Sequence, residues 1–275
     1  MRTQPPGPLA GAGPLRALLW DVDGTLAETE LDGHRQAFNR AFAEEGLPWQ
    51  WDQATYRQLL AISGGRERMR SFLRRYEGEE PDPARLEQLQ TRKQAHYGDL
   101  MRSGALPLRP GVARLIREAA AAGLTQAIVT TSGRTAVEAL CQGMEPDLRD
   151  AFDFWICGED VSRKKPDPEA YLQAIERLGC HRRHILAMED SGNGLRAATG
   201  ANLACLVTLS LSSQHEFSGL DPAQQDSPRA ADFSTALAVL DGLGEVDEGP
   251  TLLRGKGCLR GPVTLSWLQD LAAGP

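Results

Sequence analysis

No C-x-x-C pair occurs in the 275 residues, and the five cysteines (Cys141, Cys157, Cys180, Cys205 and Cys258) are widely spaced and odd in number. That argues against a disulfide framework or a cysteine zinc site and predicts a reducing, cytoplasmic setting. No apolar run is long enough to span a membrane, and no internal repeat is present. Positive charge is in deficit: the net charge is −7 and the pI is near 5.4. This balance argues against nucleic acid or an anionic membrane as partner. A small anionic substrate stays open, because local charge decides that. Met1 to Pro14 is rich in Gly and Pro and has no apolar h-region. It predicts a disordered leader over residues 1–14, not a signal peptide.

The rest has ordinary globular composition, 41% hydrophobic and 24% charged, long enough for a sizeable core. The stretch that organises it is Asp21-Val22-Asp23-Gly24-Thr25. The apolar run Ala17-Leu18-Leu19-Trp20 leads into it and predicts a short buried parallel strand. Two carboxylates at i and i+2 point the same way from its carboxyl end. Acids there cost too much to be packing residues, and that end of an open α/β sheet faces the ligand crevice. The plainer reading is an Asp-Gly turn.

Residues 27–105 read as helices throughout. The segments 34–45, 52–61, 67–76 and one opening at Asp82 or Pro83 toward Leu100 each carry an apolar face, and Ser63-Gly64-Gly65 breaks the second from the third. From Leu106 on, strands and helices alternate. Strands are predicted at 125–129, 152–157, 185–188, 203–207 and 236–240, and helices at 112–122, 134–141, 168–178, 195–199 and 261–273. That alternation implies right-handed βαβ units and a parallel sheet. Ser210 to Arg229 reads as a loop, and 245–257 shows no pattern. A helical insertion directly after the first strand would sit over Asp21 and Asp23.

Three more strand ends carry polar groups. Thr130-Thr131-Ser132-Gly133 follows the second strand and suits a phosphate cradle, although Ser/Thr before a helix is usually an N-cap. Lys164-Lys165-Pro166 follows the third, where a surface lysine is the ordinary reading. Glu189-Asp190-Ser191-Gly192-Asn193-Gly194 follows the fourth, and paired acids there suit Mg²⁺, unless Asp190 merely caps the next helix.

Together these four strand ends strongly resemble the haloacid dehalogenase (HAD) superfamily over nearly the whole chain. Asp21-x-Asp23-Gly24-Thr25 is similar to its first motif, Thr130 to its second, Lys165 to its third and Glu189-Asp190 to its fourth. The insertion is similar to the helical cap of the β-phosphoglucomutase and phosphoglycolate phosphatase branch. The blocks 27–30, 34–39, 64–68, 130–132 and 189–194 resemble the CbbY-type phosphatases, which hydrolyse xylulose-1,5-bisphosphate, an inhibitor of Rubisco. Three departures stand out: one extra residue between Glu30 and His34, Trp20 in place of phenylalanine, and Arg66 in place of lysine.

The resemblance implies an α/β fold: a Rossmann-like parallel-sheet core of residues 15–26 and 106–275 with a helical cap of residues 27–105. It implies a Mg²⁺-dependent phosphatase working through an aspartyl-phosphate. Asp21 would be the nucleophile, and Asp23 the general acid and then the base. Mg²⁺ would be held by Asp21, the Asp23 carbonyl and Asp190, with Glu189 in support. Thr130 and Lys165 would bind the transferred phosphoryl group, with Thr131, Ser132 and Asn193 beside it. Glu30 and Tyr56 would contact sugar hydroxyls, and Gly65, Arg66 and Arg68 a distal phosphate. For His34 the ordinary explanation is a partly buried helix histidine. The expected partner is a small phosphorylated sugar, and the expected state a monomer. The alternatives are a β-phosphoglucomutase-type mutase, a phosphoglycolate-type phosphatase, and a catalytically silent HAD-fold binding protein. The last requires a lost acid or lysine, and none is lost.

Overall fold

The computed structural model of the chain describes residues 15–78, 80–103, 106–217, 231–255 and 259–273. The expected leader, Cys258 and residues 218–229 of the expected loop lie outside them. The first strand, β1 (Ala17–Trp20), is buried along its whole length. It is followed in the sheet by β2 (Thr125–Val129), β3 (Phe154–Ile156), β4 (Ile185–Glu189), β5 (Ala204–Thr208) and β6 (Ala238–Leu240). These six pair in parallel, in the order β3-β2-β1-β4-β5-β6. A seventh, β7 (Leu252–Gly255), adds antiparallel to β6, inside the stretch that carried no sequence pattern. The chain reverses direction across the sheet at β1, whose neighbours are β2 and β4. That is the topological switch point, so the crevice opens at the carboxyl ends of β1, β2 and β4.

Alternation along β1 divides the core. Leu18 and Trp20 face one side with α5 (Val112–Ala121), α6 (Arg134–Gln142) and α10 (Leu265–Ala273). Ala17 and Leu19 face the other with α8 (Glu169–Leu178) and α9 (Gly192–Gly200). The short helix α7 (Pro146–Arg149) adds Leu148 to the first face. Trp20 is tolerated at this buried site because its indole N–H donates to Gln126 Oε1 at 3.1 Å, and the Gln126 amide donates on to Ile116 O. The described cysteines are free, and no described helix is long and apolar enough to cross a membrane.

Between β1 and β2 come α1 (Arg35–Glu44), α2 (Gln53–Leu59), α3 (Gly65–Glu77) and α4 (Pro83–Arg102). The Asp52 side chain caps α2, and Asp82 caps α4 ahead of Pro83. Phe38, Phe42, Trp51, Tyr56, Met69, Phe72 and Leu73 close a third core among them. The chain enters α1 through a π turn at Glu30–His34, where the Arg35 N–H reaches back five residues to Glu30 O. That turn lies where the resemblance implies an extra residue, and it leaves His34 buried and facing Asp23.

Phe42 has no exposed surface in this third core. Phe42→Ala is expected to lower stability by about 3 kcal/mol or more, read by urea denaturation. A loss below about 1 kcal/mol would mean that these helices share no common core.

Candidate active site

The strand ends meet on Lys165. Its side chain is 4% exposed, so it is not the surface lysine of the ordinary reading. Its three donors are all used, at 2.7 Å each, on Asp21 Oδ1, Glu189 Oε1 and the Val129 carbonyl. Burial works against the ammonium, but Asp21 and Glu189 overcome it and hold Lys165 charged. The Tyr171 hydroxyl donates to the same Glu189 oxygen.

Asp21, Glu189 and Asp190 are buried and each offers an oxygen within 4.8 Å of the others. Three carboxylates face one lysine, so the cluster is short of positive charge. The consequence is visible in Asp21: burial pushes it up to about 8, although Lys165 pulls the other way. Burial, and then the nearness of Asp21, also raise Asp190 well above the carboxylate range. Clustered hard oxygens lacking a counter-charge are the donor set that a Mg²⁺ ion takes. Two glycines allow this crowding. A side chain on Gly24 (φ 86°) would fall 2.2 Å from Asp190 Oδ2, and one on Gly194 would meet Glu189 Oε2. Asp190 is not the cap of α9: Ser191 is, with its hydroxyl on the Gly194 N–H at 3.2 Å.

Asp23 lies in a different setting. Burial alone would raise it, but His34, Ser132 and Thr29 together drive it far below the usual range. His34 Nε2 is 2.9 Å from Asp23 Oδ1, and the Thr29 and Ser132 hydroxyls also donate to that carboxylate. Behind His34 stands Lys93, with Nζ 2.8 Å from Nδ1, and Tyr97, whose ring stacks on the imidazole at 4.2 Å. A lysine donating to Nδ1 leaves the proton on Nε2, pointing at Asp23. Burial lowers Lys93 to about 8, despite the pull of Asp23 and Glu30. The sequence reading set His34 aside and missed Lys93. The available signal was scarcity, since the 30 basic residues include only four lysines, at 93, 164, 165 and 256.

The remaining candidates divide. Thr130 is buried, and its hydroxyl accepts the Ser132 N–H. Neither it nor Ser132 caps α6, whose first N–H goes to Glu159. Thr131 and Asn193 line the cavity over Asp21 and Asp190, which Arg68 and Glu30 close from the insertion side. A second cavity of about 350 Å³ continues from Asp23 past Ser132 to Gly65, Arg66, Arg68, Lys93 and Lys164. Arg66 is half-exposed and paired with Glu87. Tyr56 lines neither cavity. It is fully buried, donates to Glu30 Oε2 at 2.6 Å and accepts from Arg68 Nη1 at 2.6 Å. Its place is behind Glu30 and Arg68, holding them, because a buried phenol needs both partners to be satisfied.

The model of haloacid dehalogenase-like hydrolases matches residues 15–202. Protein CbbY of Cereibacter sphaeroides is 44% identical over 75% of this chain and 90% of its own length. The plasmid-borne CbbY of Cupriavidus necator is 42% identical over 82% and 95%. The crystal structure of CbbY from Rhodobacter sphaeroides with phosphate superposes with a TM-score of 0.72 at 39% identity, over 83% of this chain and 94% of that one. A variant of the same protein, in complex with xylulose-(1,5)bisphosphate, matches equally. With the parallel sheet and its acid-and-lysine crevice, these likenesses establish that the chain belongs to the haloacid dehalogenase-like hydrolases, among the CbbY proteins.

Proposed function

We propose that the chain is a Mg²⁺-dependent phosphatase that removes one phosphate from a sugar bisphosphate, with xylulose-1,5-bisphosphate as the substrate. The observation that carries this reading is the Lys165-bridged carboxylate cluster, opening on a polar cavity whose far wall holds Arg68. A bisphosphate needs a positive group at each end, and these are the two. The complex of the Rhodobacter sphaeroides relative with that sugar supports the choice.

Asp21 attacks phosphorus, and the bond from phosphorus to the sugar oxygen breaks. Asp23 protonates the leaving alkoxide, then takes a proton from the water that attacks the aspartyl-phosphate. The described state holds Asp23 as a carboxylate, the form needed for that second half. Lys165, bound to Asp21, steadies charge on the transferred group together with the hydroxyl of Thr130 and the N–H of Thr131. Bound Mg²⁺ would be held by Asp21, Asp190 and the Asp23 carbonyl, with Glu189 behind, and would supply the positive charge this cluster lacks. The insertion covers the cavity, with Glu30 toward the sugar and Gly65, Arg66 and Arg68 toward the distal phosphate. Excluding water there strengthens each of these interactions.

The direct test is phosphate release from a panel of sugar mono- and bisphosphates with Mg²⁺; predominant isomerisation of a hexose phosphate would overturn the phosphatase reading. Asp21→Asn is expected to lower kcat about 10,000-fold or more, and substantial residual turnover would reject the aspartyl-phosphate route. For Arg68→Ala, KM for the bisphosphate should rise about thirtyfold while monophosphates change little; equal losses on both would remove its role. Below about pH 8, Lys93 is an ammonium that can only donate to His34 Nδ1; above it the amine loses its charge and gains a lone pair, so it no longer fixes the His34 proton on Nε2. Activity should therefore fall on an alkaline limb near pH 8 that is missing in Lys93→Met; an unchanged limb would assign it to another group.

A further inference from the structure

Arg109 lies on the return strand of the insertion, where its N–H donates to Leu26 O at 2.8 Å and the adjoining Leu108 bridges to Ala27. Its side chain is 9% exposed, yet among the described residues it pairs with one carboxylate, Glu28, with Nε at 3.1 Å from Oε1. The rest of the fork goes to main-chain carbonyls and to the Thr208 hydroxyl, which Nη1 reaches at 3.3 Å. Nη1 donates to Gly24 O and to Thr208 O at 2.9 Å, and Nη2 to Leu209 O at 2.7 Å and Asp241 O at 3.4 Å. One guanidinium thus ties the loop after β1 to the carboxyl ends of β5 and β6.

The two tied segments enclose Asp190. Gly24 lies so close that a methyl group on it would sit 2.2 Å from Asp190 Oδ2 and 2.9 Å from Ser210 Oγ. Ser210, the residue after Leu209, donates to that same Oδ2 at 2.7 Å. The Asp190 carboxylate is therefore wedged between Gly24 and Ser210, and Arg109 sets the width of the wedge. A lysine cannot do this, because one ammonium on a flexible stem cannot span carbonyls from three segments.

We propose that Arg109 is a positioning residue for the cation site: by pinning Gly24 and Leu209 it holds Asp190 at the distance from Asp21 that Mg²⁺ binding requires. This rests on the reading of Asp190 as a Mg²⁺ ligand. Groups that hold a metal ligand in place from behind typically change affinity by about tenfold or more when removed.

The test is calorimetric Mg²⁺ titration of the full chain without substrate, on wild type, Arg109→Lys and Glu28→Gln. Arg109→Lys should weaken Mg²⁺ about tenfold, with kcat recovering at saturating Mg²⁺ and KM for the sugar phosphate unchanged. Glu28→Gln, which leaves the carbonyl fork in place, should stay within about twofold of wild type. Two results overturn the proposal: Arg109→Lys that melts earlier but binds Mg²⁺ as wild type does, or Glu28→Gln that weakens Mg²⁺ tenfold, which would assign the effect to the ion pair. If Arg109→Lys fails to fold, Ser210→Ala, which removes the opposite side of the wedge, takes its place: Mg²⁺ binding about tenfold weaker is expected, and wild-type affinity would overturn the wedge on which the proposal stands. Wild type that binds no Mg²⁺ would instead defeat the cation reading itself, and a chain inactive on every sugar phosphate leaves this test standing.

Discussion

The structure depends on one buried cation. Lys165 lies between Asp21 and Glu189 in the middle of the sheet's carboxyl edge, with every donor used. Removing one partner of such an arrangement leaves an uncompensated buried charge, at about 3–5 kcal/mol. The arrangement also dictates topology. Asp21 leaves β1, Glu189 ends β4, and Lys165 arrives from the loop after β3, so all three meet only if β1 lies between β2 and β4. The Tyr171 hydroxyl, sent up from α8, completes Glu189 from below the loop.

The second constraint is that Asp23 is satisfied from two directions. Ser132 reaches it from the sheet side, and Thr29 and His34 reach it from the start of the insertion. The proton-moving carboxylate of the proposed chemistry is thus set by where the insertion sits. Other contacts hold that position: Lys164 Nζ meets both Glu67 oxygens at 2.8 Å, and Asn193 meets Ser63 at 3.3 Å. The insertion's own core keeps Tyr56 rigid behind Glu30 and Arg68.

Much of this was legible in the sequence, for a physical reason. Strands buried on both faces read as apolar runs, and acids or a lysine at their ends stand out because burial makes them costly. Helices of the insertion show their apolar faces for the same reason. What stayed hidden is long-range or weakly patterned. β7 is a half-exposed edge strand with no alternation to read. The π turn at Glu30–His34 looks, along the chain, like a misplaced residue. Lys93 sits on an amphipathic helix, and its significance comes from His34, fifty-nine positions away. Tyr56 is placed at the sugar by the resemblance alone, and nothing along the chain says that Glu30 and Arg68 stand in front of it.

The two aspartates that open the motif end in opposite electrostatic states. Asp21, buried among carboxylates with one lysine, is pushed up to about 8, while Asp23, given a histidine and two hydroxyls, is driven far down. Neighbouring acids whose environments separate them in this way take different chemical roles. The separation also divides their dependencies. Among the described residues Lys165 is the one cation bound to Asp21, so in the proposed chemistry the remaining charge would come from a bound cation. Asp23 needs no cation, since its partners come from the chain, but two of the three come with the insertion. On the proposed mechanism the nucleophile would be completed by the metal, and the proton carrier would keep all its partners only with the insertion in the described position. The proposed attack on a phosphate would thereby be confined to a site that is both charged and covered.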